Sequence, residues 1–169
     1  NKKAKWAMKW MDPKINSFSE RLIGFIVVEG LFFSGSFCAI FWLKNKGKMI
    51  NALSKSNEMI SRDEGMHCDF GILLYLKLIN KCDESQIHEI FKEAVEIETE
   101  FICESLPCRL IGMNSDLMTQ YIKYVADNLL SDLGYSTLYN TTNPFSFMDN
   151  LECDGKTNFF EQRVTEYQR

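Results

Sequence analysis

The sequence predicts an all-α fold, a bundle of long helices followed by an irregular C-terminal segment. Three observations carry this. Apolar residues recur close to every 3.6 positions in almost every window of the chain. Its 169 residues include only three prolines and nine glycines, so few points interrupt a helix. With 46% hydrophobic and 13% aromatic residues, a chain of this length buries a core as one domain.

Each element follows from local signals. Residues 1–11, "NKKAKWAMKWM", read as a helix tail closed by Asp12 and Pro13. Ser17 with Glu20 three residues on forms a capping box, which opens a long helix expected to reach about Lys46 before Gly47 stops it. "KMINALSKSN" is then a connection, and a second helix is expected from about Asn57 to Asn80. Asp83 with Gln86 resembles another capping box and starts a third helix that Pro107 interrupts or ends. Asn114 or Ser115 caps a fourth, closed by Gly134. Residues 135–169 are turn-rich and aromatic, with a short closing helix predicted over 159–169.

Charge and composition narrow the function. The net charge is −4 and the lysines are scattered after the opening, so no basic stripe suits a phosphate backbone and nucleic acid is not an expected partner. Apolar runs such as "LIGFIVVEGLFF" are cut by charge or Gly before the roughly 20 residues of a membrane span, and the basic opening lacks the apolar core of a secretory signal. No membrane partner is expected. Trp6 and Trp10 are read as core-facing aromatics between solvated lysines, a membrane-surface helix being the other reading. Cys38, Cys68, Cys82, Cys103, Cys108 and Cys153 show no C-x-x-C spacing and read as free thiols of a reducing, cytoplasmic compartment.

Chemistry enters where polar residues interrupt apolar stripes. On the long first helix the walk Phe18, Leu22, Phe25 arrives at Glu29. On the second it runs Ile60, Glu64, His67, Gly71, Leu74 and Leu78, so a carboxylate and an imidazole stand one turn apart. A buried carboxylate needs a partner or takes up a proton. Iron or manganese accepts both ligand types, and ferritin-like two-metal bundles use a Glu from each of two helices plus two Glu-x-x-His pairs. Glu29 with Glu64-x-x-His67 supplies half of that set, beside a dry wall expected from Phe33, Phe37 and Ile60. The E-x-x-H spacing alone does not separate ligands from ordinary hydrogen-bonded residues. Glu98 lies on a stripe with Phe91, Ala94 and Phe101 and has no metal role on this reading, and His88 reads as exposed.

"ERLIGFIVVEGLFFSGSFCAIFWLK", "SNEMISRDEGMHCDF", "EIETEFICESLPCRLIGMN", "MTQYIKYVADNLLSDLGY" and "NPFSFMDN" with "GKTNFFEQRVTEYQ" together resemble the small, radical-generating subunit of class I ribonucleotide reductase of the eukaryotic type. The resemblance covers essentially the whole chain. It implies that residues 1–169 are a single partial domain, the C-terminal portion of a ferritin-like bundle, with 135–169 its irregular end. It implies a di-iron centre, manganese being possible, in which Glu29, Glu64 and His67 are ligands and Asp63 serves a radical-transfer relay, with Arg62 supporting. Phe33, Phe37 and Ile60 match the pocket around a tyrosyl radical. The family's other three ligands and its radical tyrosine precede the matched segments. The implied function is to supply an oxidising equivalent to a large catalytic subunit that reduces ribonucleotides, from a homodimer or a heterodimer with a paralogue. "GKMINALSKSNE" departs from the family's usual "GLMPGLTFSNE", which keeps a non-catalytic partner subunit as an alternative, beside a ferritin-like di-metal oxidase.

Overall fold

Ser17 opens a helix by the chemistry its neighbours promise: its hydroxyl accepts the Glu20 N–H at 3.3 Å, and the Glu20 carboxylate accepts the Ser17 N–H at 2.6 Å. The computed structural model describes residues 2–48, 52–105 and 113–149, and every element among them is a helix. In order these are α1 (Lys2–Trp10), α2 (Phe18–Gly30), α3 (Ser34–Asn45), α4 (Ala52–Leu76), α5 (Glu84–Ser105), α6 (Ser115–Leu133) and the short α7 (Ser146–Asp149). Pro107, Cys108, Cys153 and the closing helix expected over 159–169 lie outside the described residues.

α2 lies at the centre, packed on α4, α1 and α5, while α5 packs on α6. Ile23, Ile26, Phe41, Tyr75, Phe91, Met118 and Leu129 are fully buried members of one continuous core. The stretch Phe18–Asn45 is long and apolar enough to cross a membrane, contrary to the expectation that every apolar run is cut short, and 61% of its most apolar window is buried against the other helices. That burial is what the core helices of a bundle require.

Several expected boundaries move. The single helix expected from Ser17 to Lys46 is two, because the chain turns through Leu31–Phe33. There the Phe32 N–H reaches back five residues to Val27 O at 3.0 Å, and the Ser34 N–H reaches back only three, to Leu31 O at 3.1 Å. A bond to the fifth residue back inserts one extra residue into the turn. α4 starts at Ala52 and ends at Leu76, earlier at both ends than expected. At α5 the Asp83 carbonyl accepts the Ile87 N–H at 3.1 Å, but the Gln86 amide bonds the Glu20 carboxylate on α2 and forms no box. α6 follows the expectation: Asn114 Oδ1 accepts the Leu117 N–H at 2.9 Å, and Gly134, at φ +86°, ends the helix in the left-handed region.

The opening helix is docked rather than solvated. Trp6 is buried with its ring edge-on to Phe32 at 5.0 Å. Lys2, Lys5 and Lys9 stay exposed as expected, with Lys2 paired to Glu100 and Lys9 to Glu93 on α5, whereas Lys3 is not solvated but half-buried. His88 is likewise not an exposed residue: it is half-buried, and its Nε2–H donates to Ser136 O at 2.9 Å. The irregular segment after α6 is pinned by buried Asp127, whose carboxylate accepts the N–H groups of Leu138, Tyr139 and Thr141 at 2.9, 3.0 and 3.2 Å. Phe145 and Met148 then close over the core.

Candidate metal centre

α2 and α4 approach closely because glycines face the contact. A methyl group on Gly30 would stand 2.8 Å from Cys68 Sγ, and one on Gly71 would stand 2.8 Å from Ile26 Cγ1. Glu29 is the neighbour of the first glycine, and Glu64 and His67 lie within two turns of the second. A separation of three residues puts Glu64 and His67 on one side of α4. The close approach brings Glu29 to them.

His67 Nδ1 lies 3.2 Å from Glu64 Oε2 and 3.4 Å from Glu29 Oε2, and one ligand atom from each of the three residues falls within 4.8 Å of the others. The two carboxylates are mostly buried, whereas the His67 side chain is 55% exposed. Burial, with Glu64 beside it, pushes the Glu29 carboxyl up to about 7, against the opposing pull of His67. Hydrogen bonds from its ring to Glu64 and Glu29 raise the His67 pKa. Two acids and an imidazole thus converge at one place beside the α2–α4 contact. An O,O,N donor set of this kind is suited to a divalent iron or manganese ion.

The other expected residues are arranged less tightly. Phe37 is buried, with its ring 6.0 Å from that of Phe33, but Phe33 is 39% and Ile60 49% exposed. The expected dry wall is therefore only partly closed by this chain. Arg62 and Asp63 face solvent just before Glu64, and the Asp63 side chain has no hydrogen bond or ion pair among the described residues. Of the apolar walk along α4 only Gly71 is fully buried. Ser54, Asn57, Ser61, Gly65, Cys68, Ile72 and Tyr75 face the core, leaving Ile60, Glu64 and His67 along the edge of that face. Small and polar residues form the close contact, so hydropathy could not reveal it.

Sequence reasoning also missed Lys3, which forms an ion pair with Glu98, and gave Glu98 no role. The signal available for Glu98 was its place on an apolar stripe. Lys3 carried none, since it is one of several lysines in a basic opening.

Residues 1–144 match the protein-family model described as "Ribonucleotide reductase, small chain". The chain is 59% identical over 168 residues to the "Ribonucleoside-diphosphate reductase small chain" of Nicotiana tabacum, covering 99% of this chain and 50% of that protein. It is 60% identical over 169 residues to the protein of the same description from Trypanosoma brucei brucei, covering 99% of this chain and 50% of that one. It thus spans about half the length of the curated relatives it matches. Among solved structures, the ribonucleotide reductase Rnr4 homodimer from Saccharomyces cerevisiae matches with a TM-score of 0.80 and 38% identity, over 88% of this chain and 47% of that chain. The likeness identifies the helical arrangement as ferritin-like.

Proposed function

The chain belongs to the ribonucleotide reductase small-chain family, and from that premise we propose that it forms one side of a di-iron centre in the small subunit of ribonucleoside-diphosphate reductase. The observation that carries this reading is the convergence of Glu29, Glu64 and His67 from α2 and α4 within 4.8 Å. When bound, the irons supply the reduction of dioxygen and the one-electron oxidation of a tyrosine outside this chain. A large catalytic subunit then uses that oxidising equivalent to reduce ribonucleotides to deoxyribonucleotides.

Within this scheme the residues of the chain hold, shield and relay. Glu29 and Glu64 provide carboxylate oxygens for the cation. His67 provides an imidazole nitrogen on the open side of α4. Phe37, and Phe33 beside it, keep water from the neighbourhood of the oxidised side chain, with Ile60 completing the wall from α4. Asp63, next to Glu64 and facing outward, is placed to bond a group contributed from beyond this chain, as a relay between the metal and the protein surface requires. The remaining ligands come from the part of the family's length that this chain does not span. They would approach the edge of α4 that exposes Ile60 and Phe70 beside the ligands.

The centre takes iron, with manganese the alternative of the same coordination chemistry. The proposed partners are the large subunit and a second copy or a paralogous small chain, the solved Rnr4 relative being a homodimer. Free thiols at Cys38, Cys68, Cys82 and Cys103 favour a cytoplasmic setting. In the complete protein, Glu29→Ala and His67→Ala should each lower bound iron by roughly half or more and abolish the tyrosyl radical signal in electron paramagnetic resonance. Unchanged iron content and an unchanged radical would overturn the assignment.

A further inference from the structure

The break between α2 and α3 leaves two helix ends inside the protein, each with backbone groups that the helices themselves cannot satisfy. Glu29 lies one residue before the end of α2, while Phe33 and Phe37 lie just before and within the start of α3. In an unbroken helix Glu29, Phe33 and Phe37 would stack on one face at intervals of four. One extra residue in the turn rotates α3 relative to α2 by roughly 100°. The break therefore sets how the phenylalanines stand relative to the carboxylate.

Two side chains from elsewhere meet this break. Lys3, on α1, donates from Nζ to Phe32 O at 2.6 Å, placing a cation at the carbonyl end of α2. Its ammonium also lies over the Phe101 ring at 3.9 Å and pairs with Glu98 on α5. Glu98 is fully buried and lies against the amino end of α3 beside Gly35, and among the described residues its two carboxylate oxygens accept no hydrogen bond, the ion pair with Lys3 being their polar contact. A methyl group on Gly35 would stand 2.8 Å from Glu98 Oε1 and 2.5 Å from Ile102, so only glycine admits the acid there. A cation at a helix C-terminus and an anion at an N-terminus are each the favourable pairing with the helix dipole. α3 has no side-chain cap of its own.

We propose that the Lys3–Glu98 pair is a positioning clamp that holds the α2–α3 break and, through it, the orientation of Glu29 and of Phe33 and Phe37. The inference rests on the reading of Glu29 as a metal ligand. Stability alone does not explain the pair. Burial outweighs the mutual attraction in both partners, pushing the Glu98 carboxyl up to about 7 and the Lys3 ammonium down. Apolar residues of similar shape often replace such a pair at no loss of stability. They would neither donate to the Phe32 carbonyl in the turn nor set a carboxylate against Gly35 at the start of α3.

The test is binding of Mn²⁺ to the complete, metal-free protein, read from the loss of the free-ion signal in electron paramagnetic resonance, alongside the urea unfolding midpoint. Lys3→Met and Glu98→Leu should each weaken Mn²⁺ binding about tenfold, the order of effect seen when groups that orient a metal ligand are removed. The double variant should be no worse than the weaker single, because the pair acts as one unit. Mn²⁺ affinity that stays at the wild-type value in both singles, even with a lowered midpoint, would overturn the clamp and leave a purely structural pair. If Glu98→Leu does not fold, Glu98→Gln replaces it: weakened binding supports the clamp, and unchanged binding overturns it. Glu29→Ala separates the two readings. If it leaves Mn²⁺ binding intact, the ligand reading falls and this inference with it. If it weakens binding while the pair variants do not, the clamp alone falls.

Discussion

Glu98 shows how a single buried carboxyl makes stability depend on pH. Its ordinary value is 4.5 and burial pushes it up to about 7 in the folded protein. Between those values the unfolded chain gives up the proton first, so the native state binds more protons and stability falls as pH rises from about 4.5 to about 7. A shift of that size corresponds to on the order of 3 kcal/mol. Urea unfolding of the complete, metal-free protein at pH 5 and pH 7.5 should show this loss, and Glu98→Gln should remove Glu98's share. Glu29, held near the same value, contributes a slope of the same sign, so the difference between the two proteins is the informative quantity. A wild-type slope retained in full by Glu98→Gln would contradict the assignment. Residues of this kind were only half legible in the sequence. The spacing of Glu64 and His67, with Glu29 on the preceding helix, pointed to a shared site because helix geometry fixes which positions align. The exposure of His67, Phe33 and Ile60 was not legible, because it depends on what packs beside each helix.

Helix ends set by local chemistry were readable, and those set by distant partners were not. Ser17, Asn114 and Gly134 perform the capping their types favour, within four residues of themselves. Nothing in "EGLFFSGSF" marks a stop. The break there is met by Lys3, 29 residues before Phe32, which donates to the Phe32 carbonyl, and by its ion-pair partner Glu98, 66 residues after Phe32. The contact between α2 and α4 is of the same nonlocal kind, since it uses glycine and small polar residues rather than an apolar stripe. Gly71→Ala tests that contact. Its new methyl would stand 2.8 Å from Ile26 Cγ1 and 3.2 Å from the Phe25 ring, forcing α2 away from α4. We expect a loss of about 1–3 kcal/mol in unfolding free energy together with weaker metal binding. Unfolding as in the wild type would show that Ile26 can shift without moving the helix.

At the scale of the molecule, periodicity and scarce helix breakers were enough to give an all-α bundle, because those signals are summed over many turns. The resemblance in long motifs then identified the family to which residues 1–144 belong. The bundle presents its three converging donors at an edge of α4 rather than in a closed cage, as fits a chain spanning about half the length of its curated relatives. The central claim is that Glu29, Glu64 and His67 hold one metal of a two-metal site. Anomalous diffraction at the iron absorption edge from crystals of the complete, iron-loaded protein tests it most directly. The expected result is a peak within coordination distance of all three side chains, with a second peak beside it. Iron peaks that leave Glu29, Glu64 and His67 without contact would contradict it.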